Sequence, residues 1–501
     1  MAPASKNTGG IPFIVSTGTK KPDPEVRRFI RSHVMIGKNR GKTLLPRKKK
    51  KAGPSTAVDS NGDNSTLDRE CSEASLATAT LDIIPQKVGS DLSFIHFADR
   101  IDESAIAVIL QFSSIAKKAL FPLESCINFG AKEKAWMEAL TVDAAYLHAM
   151  AFSAQDYFDL LPGRPTSCRN ASARLAAPHV VKTLQLLRER LEMSEEHDMK
   201  MVQGSFSTAA VVLCLAFHAH IMGEQQAALH HMQGLRKIID LSGGLQGLEN
   251  NMKLLLEVLR CDIGMALHYG SRPLFFANLA REPYWPYPDF TSYSPVCSSA
   301  LESCKLICGL DPELFRAWEV TKQFSTLVNH AASRHQKLPK EYLLDTMVSV
   351  MYPILHMSSD SFERSSLDEA IRLGLLAYCS SVFLQWAGVR LPYMHFPTMY
   401  RNCLFNLQLP ELDVDSDSSS SSPLLLWLLM IGAVSVFGDC DDVWLKPWLH
   451  VNMELCGVGD SWDAMRDVLN SFMWIGLVHD IPGKAVFDST LSLDLSLELH
   501  E

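Results

Sequence analysis

The fold class is decided by residues 224–245, which read EQQAALHHMQGLRKIIDLSGGL. Apolar residues recur there every three or four positions, the spacing that places side chains on one side of an α-helix, namely Ala228, Met232, Leu235 and Ile239. Gly243 and Gly244 follow, and glycine is the residue that most readily adopts the left-handed conformation at the end of a helix. The stretch therefore predicts an amphipathic helix over 224–242 with one buried face.

The same periodicity covers most of the chain beyond residue 91. It predicts further helices over 101–120, 134–158, 178–193, 205–222, 251–269, 312–332, 340–357, 367–389, 423–437 and 463–478. Runs of alternating apolar and polar residues bounded by hairpin turns are nearly absent from the sequence. We therefore expect an all-α fold, a large bundle or array of roughly 12–15 helices packed against one another.

The chain has 501 residues and a net charge of −9, but the charge is unevenly distributed. Residues 1–60 contain 14 of the 47 lysines and arginines and 3 of the 56 acidic residues, which gives +11, so residues 61–501 carry −20. Apolar residues make up 47% of the chain, too many for a wholly disordered protein. A basic arm joined to a large acidic body points to macromolecular partners more than to chemistry.

Composition divides the chain into three parts. Residues 1–52 are predicted to be a basic, disordered arm, in which the Asp-Pro pair at 23–24 predicts the start of a short amphipathic helix with an arginine-bearing face. Residues 53–90 are rich in Ser, Thr, Asp, Asn and Gly and are predicted to be a flexible linker. Residues 91–490 are predicted to form the helical domain, which a low-complexity loop interrupts at 413–422.

The basic arm has two candidate roles. Five consecutive cations stay solvated and extended because they repel one another, and such a run suits the acidic groove of a nuclear import carrier: Arg47, Lys48, Lys49, Lys50 and Lys51. Six further cations are candidates for contact with the DNA backbone, because each neutralised phosphate releases a counterion: Arg27, Arg28, Arg31, Lys38, Arg40 and Lys42. A solvated tail that binds nothing is the alternative to both roles.

Other features bear on the compartment. Residues 1–20 contain no apolar run of seven or more residues, so we expect no secretory signal. The longest apolar run, Leu424–Phe437, spans about 21 Å as a helix, which is short of the ~30 Å hydrocarbon layer, so it predicts a buried helix and no membrane partner. The 12 cysteines lie singly, mostly in apolar runs, and are expected to be reduced core residues.

The sequence predicts no catalytic site, metal or cofactor. A binuclear zinc cluster needs six closely spaced cysteines, and Cys71 is the only cysteine in the first 120 residues. Two other groups of candidate ligands lack a complete set or lie where rim and capping roles are commoner, namely Cys297, Cys304 and Cys308, and His218, His220, His230 and His231. The chain contains no Gly-x-Ser-x-Gly, His-Glu-x-x-His or Gly-x-Gly-x-x-Gly motif.

One buried charge is predicted inside the helical domain. Asp262 lies among apolar residues of the helix predicted over 251–269, so its side chain is expected to face the core. A charge in that position needs a partner, and Arg272, just beyond the end of the helix, is the candidate. The two residues are predicted to form a structural ion pair, with contact to a ligand as the alternative.

Two segments resemble the fungal-specific transcription factor domain, the regulatory domain of zinc binuclear cluster-type regulators. The first is HHMQGLRKIIDLSGGL within 227–245, and the second is LRCDIGMALHYGSRPLF at 259–275. Weaker similarity extends over 136–148, 205–217 and 423–448, and the segment 27–42 resembles the N-terminal arm of a subgroup of these proteins. The chain departs from the family pattern because it lacks the zinc-cluster cysteines.

The resemblance implies an all-α regulatory body of a nuclear transcriptional regulator, possessing no enzymatic activity and controlling a metabolic gene cluster. Its expected partners are an import carrier, DNA, transcriptional coregulators, and a second copy or another regulator as a dimer. The alternative is a non-DNA-binding helical corepressor or scaffold that acts through a DNA-binding partner. An enzyme built on a helical scaffold is the third hypothesis.

Overall fold

Helices provide almost all of the regular structure. The computed structural model describes residues 96–497, apart from 131–134, 162–165, 193–205, 279, 281, 291–306, 358–361, 364, 387–388, 390–392 and 408–421. Fifteen α-helices and one two-stranded parallel ladder lie within these described residues, which confirms the all-α prediction.

The helices in chain order are α1 Glu103–Ala119, α2 Ala135–Val142, α3 Ala144–Leu160, α4 Thr166–Glu192, α5 Phe206–Ile221, α6 Gln225–Leu241, α7 Met252–Tyr269, α8 Pro312–Ser333, α9 Lys340–His356, α10 Leu367–Cys379, α11 Phe396–Asn406, α12 Ser422–Ser435, α13 Asp442–Leu455, α14 Trp462–Phe472 and α15 Gly476–Leu497. The strands are β1 Ile127–Asn128 and β2 Leu338–Pro339, in which Ile127 pairs with Leu338 and Asn128 with Pro339. Short 3₁₀ segments cover Pro122–Cys126, Leu245–Asn251, Ile307–Gly309 and Asp439–Asp441, and a π-turn covers Ser380–Leu384.

Helix α6 has the bounds and the buried face that its sequence predicts. Its four predicted core residues each expose 1% of their surface or less, namely Ala228, Met232, Leu235 and Ile239. Gly243 and Gly244, which follow the helix, have φ values of +99° and +78°. The two glycines therefore stop the helix for the reason that predicted them, because other residues adopt this conformation only at a cost.

Two predicted helices are each two helices in the structure. The helix predicted over 134–158 is interrupted by Asp143, whose carboxylate accepts the Tyr146 N–H at 3.1 Å and so begins α3. The helix predicted over 463–478 ends at Phe472, and α15 begins after an extended segment. Asn329 of α8 stabilises this break. Its side-chain N–H donates to the Trp474 carbonyl, and its side-chain oxygen accepts the Gly476 N–H.

Helix α12 forms the most apolar part of the core. It packs against α10, α13, α14 and α15, and Leu424 and ten of the eleven residues of 425–435 are buried. Trp427 lies edge-on to Trp318 of α8, with ring centroids 5.1 Å apart, and donates its Nε1–H to the Met473 carbonyl at 2.7 Å. The prediction of a buried helix for this run is confirmed, and no helix among the described residues is long and apolar enough to span a membrane.

Several predictions fall on residues outside the described part of the chain. They are the arm over 1–52 with its import and DNA-contact residues, the linker over 53–90, and residues 413–421 of the low-complexity loop. The limits of the helical domain at 91 and 490 likewise stay predictions. Eight cysteines whose side chains the structure describes have free thiols, of which Cys126, Cys379 and Cys403 are buried.

Candidate functional site

Arg236 joins the two sequence segments that carry the family resemblance. From α6, its Nε donates to both oxygens of Asp240 at 2.9 and 3.1 Å, and its Nη2 donates to Glu282 at 2.7 Å. Its Nη1 donates to the Leu274 carbonyl at 3.0 Å, and the guanidinium lies 4.8 Å from the centre of the Phe275 ring. This single side chain therefore fixes the loop that follows α7 onto the surface of α6.

Asp262 fixes the same loop from the core side. It is only 3% exposed, which confirms its predicted burial, and its carboxylate accepts the N–H groups of Leu274 at 2.8 Å and Phe275 at 3.1 Å. The Tyr352 hydroxyl donates a third bond at 2.9 Å, and burial raises the pKa of Asp262 to about 6. The predicted partner was wrong, since Arg272 is exposed and the loop turns its backbone amides to the carboxylate instead.

The loop held by these two residues contains a strained position. Phe276 has φ of +57°, a conformation that costs an aromatic residue of order 1–3 kcal/mol. Its N–H donates to the second oxygen of Glu282 at 3.0 Å, and its ring lies 4.5 Å from that of Tyr352. Beside it, an open groove of about 380 Å³ is lined by Gln233, Arg236, Lys237, Asp240, Leu274, Ala277, Asn278 and Glu282. Because the acidic side chains and the arginine bind one another across the groove, we interpret this cluster as structural, with the role of holding the loop in place.

Ser381 and His479 form a contact that resembles a nucleophile with its base. The Ile475 N–H donates to His479 Nδ1 at 3.1 Å, so in the neutral ring the proton is on Nε2. Nε2 lies 2.9 Å from Ser381 Oγ and therefore donates to it, while the hydroxyl donates to the Tyr378 carbonyl at 2.7 Å. A histidine in this tautomer cannot take the serine proton, and burial lowers its pKa to about 3, so the pair is structural.

Two of the four histidines weighed as metal ligands have partners of their own. His218 Nδ1 lies 2.9 Å from a carboxylate oxygen of the buried Asp156, and His220 Nδ1 lies 3.0 Å from the Tyr269 hydroxyl. In the part of the chain that the structure describes, no group of three or more His, Cys, Asp or Glu side chains could hold a metal ion. Of the three cysteines weighed as ligands, only Cys308 is among the described residues, and it is exposed.

A further histidine pair was not anticipated from the sequence. His148 Nδ1 and His179 Nδ1 lie 2.8 Å apart, and His148 Nε2 lies 3.4 Å from Asp99. Burial and the neighbouring His148 lower the pKa of His179, which favours its neutral form. The pair connects α3 to α4 and to the segment before α1. The two histidines are 31 residues apart in the chain, so no local sequence pattern predicted their contact.

Helix α13 exposes four apolar residues along one of its sides. Val443, Val451 and Leu455 expose 85%, 52% and 65% of their surface, and Pro447 between them is also exposed. We call these four residues the α13 apolar face. Their spacing of four residues places them along one side of the helix. Exposed apolar surface arranged in a stripe marks a site of contact with another molecule more often than single exposed residues do.

Three aromatic rings border the α13 apolar face. Phe405 of α11, which is 48% exposed, packs edge-on against Trp444 and Trp448 with ring centroids 5.0 and 5.3 Å apart. Trp444 Nε1–H donates to Asp441 at 3.0 Å, and Asp441 also accepts from Arg401 at 2.9 Å. The border is therefore held in place by ring contacts and by hydrogen bonds to a buried carboxylate.

Comparison of the chain with protein-family models, with curated proteins and with solved structures found no match.

Proposed function

We propose that this chain is a nuclear transcriptional regulator, in which a helical regulatory domain over 91–490 is joined to a basic arm over 1–52. The observation that carries the proposal is the separation of charge, +11 in residues 1–60 against −20 in the remainder. A cationic arm suits an import carrier and the phosphate backbone, and an acidic helical body suits contact with other proteins. The resemblance to the fungal-specific transcription factor domain supports the same role and extends it to control of a metabolic gene cluster.

The chemistry of the helical body supports a binding role over a catalytic one. The tautomer of His479 does not allow it to act as a base toward Ser381. The charged groups of Arg236 and Asp262 are occupied by hydrogen bonds that hold the loop after α7. The α13 apolar face, by contrast, offers a surface for a coregulator. We assign the protein no enzymatic activity and no cofactor.

Nuclear import is tested with a fluorescent fusion of the full chain. Replacement of Arg47–Lys51 by five alanines is expected to abolish nuclear accumulation, because it removes the run that an import carrier would bind. The matched control replaces five other cations of the arm by alanine, namely Arg27, Arg28, Arg31, Lys38 and Arg40. Unchanged accumulation of the 47–51 variant, or equal loss in both variants, would refute this run as the import signal.

Direct DNA contact is tested by gel shift over a salt series. If all six candidate cations neutralise phosphates, the logarithm of the binding constant falls with the logarithm of salt concentration at a slope of about −5. Binding would then weaken about 10³-fold between 50 and 200 mM salt. Replacement of Arg27, Arg28 and Arg31 by alanine is expected to reduce the slope to about half, and a slope unchanged by that variant would place the contacts elsewhere.

A non-DNA-binding corepressor or scaffold is the second candidate function. It is favoured by one observation, that Cys71 is the only cysteine in residues 1–120, so the chain lacks the zinc cluster with which such regulators read DNA. In this case the purified chain does not shift DNA even at low salt. Its chromatin occupancy then disappears when a zinc-cluster partner, identified by co-immunoprecipitation, is depleted.

A further inference from the structure

We propose that the α13 apolar face binds one helix of a partner protein, an amphipathic helix whose apolar stripe is flanked by lysines and arginines. The inference deepens the proposed contact with coregulators and rests on the proposed function for its biological role. The binding itself is argued from the shape, size and charge of the face.

The α13 apolar face is a firm surface. On the opposite side of the helix, Leu445 and Leu449 expose 2% and 0% of their surface, which anchors α13 in the core. The amide of Asn452 donates to the Trp448 carbonyl at 2.8 Å, and the cluster with Phe405 holds the indole rings. The exposed valines and leucine are thus presented by a packed helix, so a partner does not have to order them first.

The size of the face suits one helix and falls short of what a stable dimer needs. The exposed fractions of its two valines, its leucine and the bordering Phe405 are equivalent to about two and a half whole side chains. At about 60–120 Å² of apolar surface for each such side chain, this is roughly 150–300 Å². A standard protein–protein interface uses about 800 Å² per partner, whereas a docked helix presents anchors at positions i, i+4 and i+7 along a single stripe.

The charges around the face select a basic partner. Asp442 and Glu454 flank the stripe with 43% and 69% of their side chains exposed, and the exposed Asp439 and Asp460 lie beyond its two ends. Lys446 is paired with Asp442 at 2.7 Å, so the two charges offset each other and the net negative charge of the border comes from Glu454, Asp439 and Asp460. The acidic border attracts lysines and arginines that flank an apolar stripe, and it repels acidic helices and anionic lipid surfaces.

The test uses the full chain and a fluorescent 18-residue helical peptide with leucines at positions i, i+4, i+7 and i+11 and flanking lysines. Binding is followed by fluorescence anisotropy. The double variant Val443→Asp/Leu455→Asp is expected to bind the peptide at least tenfold more weakly than the unchanged chain. The matched control is Val142→Asp/Val181→Asp, two valines that are 75% and 65% exposed on α2 and α4, which is expected to bind as the unchanged chain does. Thermal melting followed by circular dichroism verifies that both variants are folded.

The charge of the partner is tested separately. Glu454→Lys is expected to weaken binding of the lysine-flanked peptide and to strengthen binding of a peptide with glutamates in the same flanking positions. Equal binding of both peptides by the unchanged chain, or equal affinity of the two double variants, would overturn the proposal. So would a concentration-dependent dimer in sedimentation that Val443→Asp/Leu455→Asp abolishes, because it would make a second copy the occupant. Nuclear import and DNA binding are measured independently, so failure here is distinguishable from failure of the proposed function.

Discussion

Replacement of Asp262 by asparagine should cost more stability in mild acid than at neutral pH. The carboxylate accepts three hydrogen bonds, from the Leu274 and Phe275 amides and from the Tyr352 hydroxyl. An asparagine oxygen can keep one amide bond, and the tyrosine hydroxyl can turn to accept from the new amide. One buried N–H is then left facing another donor, which costs about 1–3 kcal/mol.

The pH dependence follows from the burial of the charge. Burial raises the pKa of Asp262 from 3.8 to about 6, so the folded protein resists ionisation of this group. The contribution of Asp262 to the free energy of unfolding is fully present below pH 3.8 and is lost as pH rises through 6. The loss between about pH 5 and pH 7.5 is about 1 kcal/mol in the unchanged protein and is absent from the variant. The destabilisation by Asp262→Asn is therefore expected to be about 1 kcal/mol smaller at pH 7.5 than at pH 5.

The measurement is urea unfolding of the full chain and the variant at both pH values, followed by circular dichroism. Asp240→Asn is the control for loss of a carboxylate from the neighbouring cluster, and because Asp240 is 52% exposed its effect is expected to stay within about 0.5 kcal/mol. A destabilisation by Asp262→Asn that is equal at the two pH values would refute the reasoning. It would mean that the hydrogen bonds, and not burial, set the ionisation of this carboxylate.

Three further substitutions test the core. Burial lowers the pKa of His479 to about 3, so the unchanged protein loses stability as pH falls from 6.5 towards 3, by about 2 kcal/mol at pH 5. His479→Phe is expected to remove this loss, which urea unfolding at several pH values measures. A variant that loses as much stability in acid as the unchanged protein would contradict the prediction. Gly374→Ala would place a Cβ 2.5 Å from Leu428 Cδ2, so overpacking is expected to lower the free energy of unfolding by about 1–3 kcal/mol, as measured by urea unfolding. An unchanged free energy of unfolding would show that α12 can shift to make room. Glu369→Ala leaves the guanidinium of Arg372, which is 3% exposed, without the carboxylate that accepts two of its hydrogen bonds. The protein is expected to lose about 3–5 kcal/mol of stability, seen as a lower melting temperature. A loss below 1 kcal/mol would mean that the arginine reaches water in the variant.

Local patterns were sufficient to predict the helices whose caps and buried faces lie within a short stretch of sequence. Helix α6 is the clearest, because both its stop at Gly243 and its four core residues are encoded within twenty residues. The break before α15 was not predictable in this way. It depends on Asn329, nearly 150 residues earlier, whose side chain bonds the backbone of Trp474 within the break and of Gly476 at the start of α15.

The buried charge shows the same division between local and distant information. The apolar neighbours of Asp262 along its helix were enough to predict that it faces the core. Its partners were not predictable, because an arginine ten residues away is an obvious candidate while a backbone amide carries no sequence signal. The Tyr352 hydroxyl comes from α9, ninety residues further along the chain. Nothing local distinguishes that tyrosine from others in the domain.

Helix α13, which the periodicity did not predict, has apolar residues on two sides. Its core side uses Leu445 and Leu449, but its outer side carries Val443, Val451 and Leu455, so apolar residues occur around much of the helix. Pro447 lies inside the helix, and a proline within a helical pattern predicts that the helix ends before it. Burial inside the domain explains the first face only. If a partner helix covers the second face, both sets of apolar residues have the same cause, which is burial against a neighbouring helix.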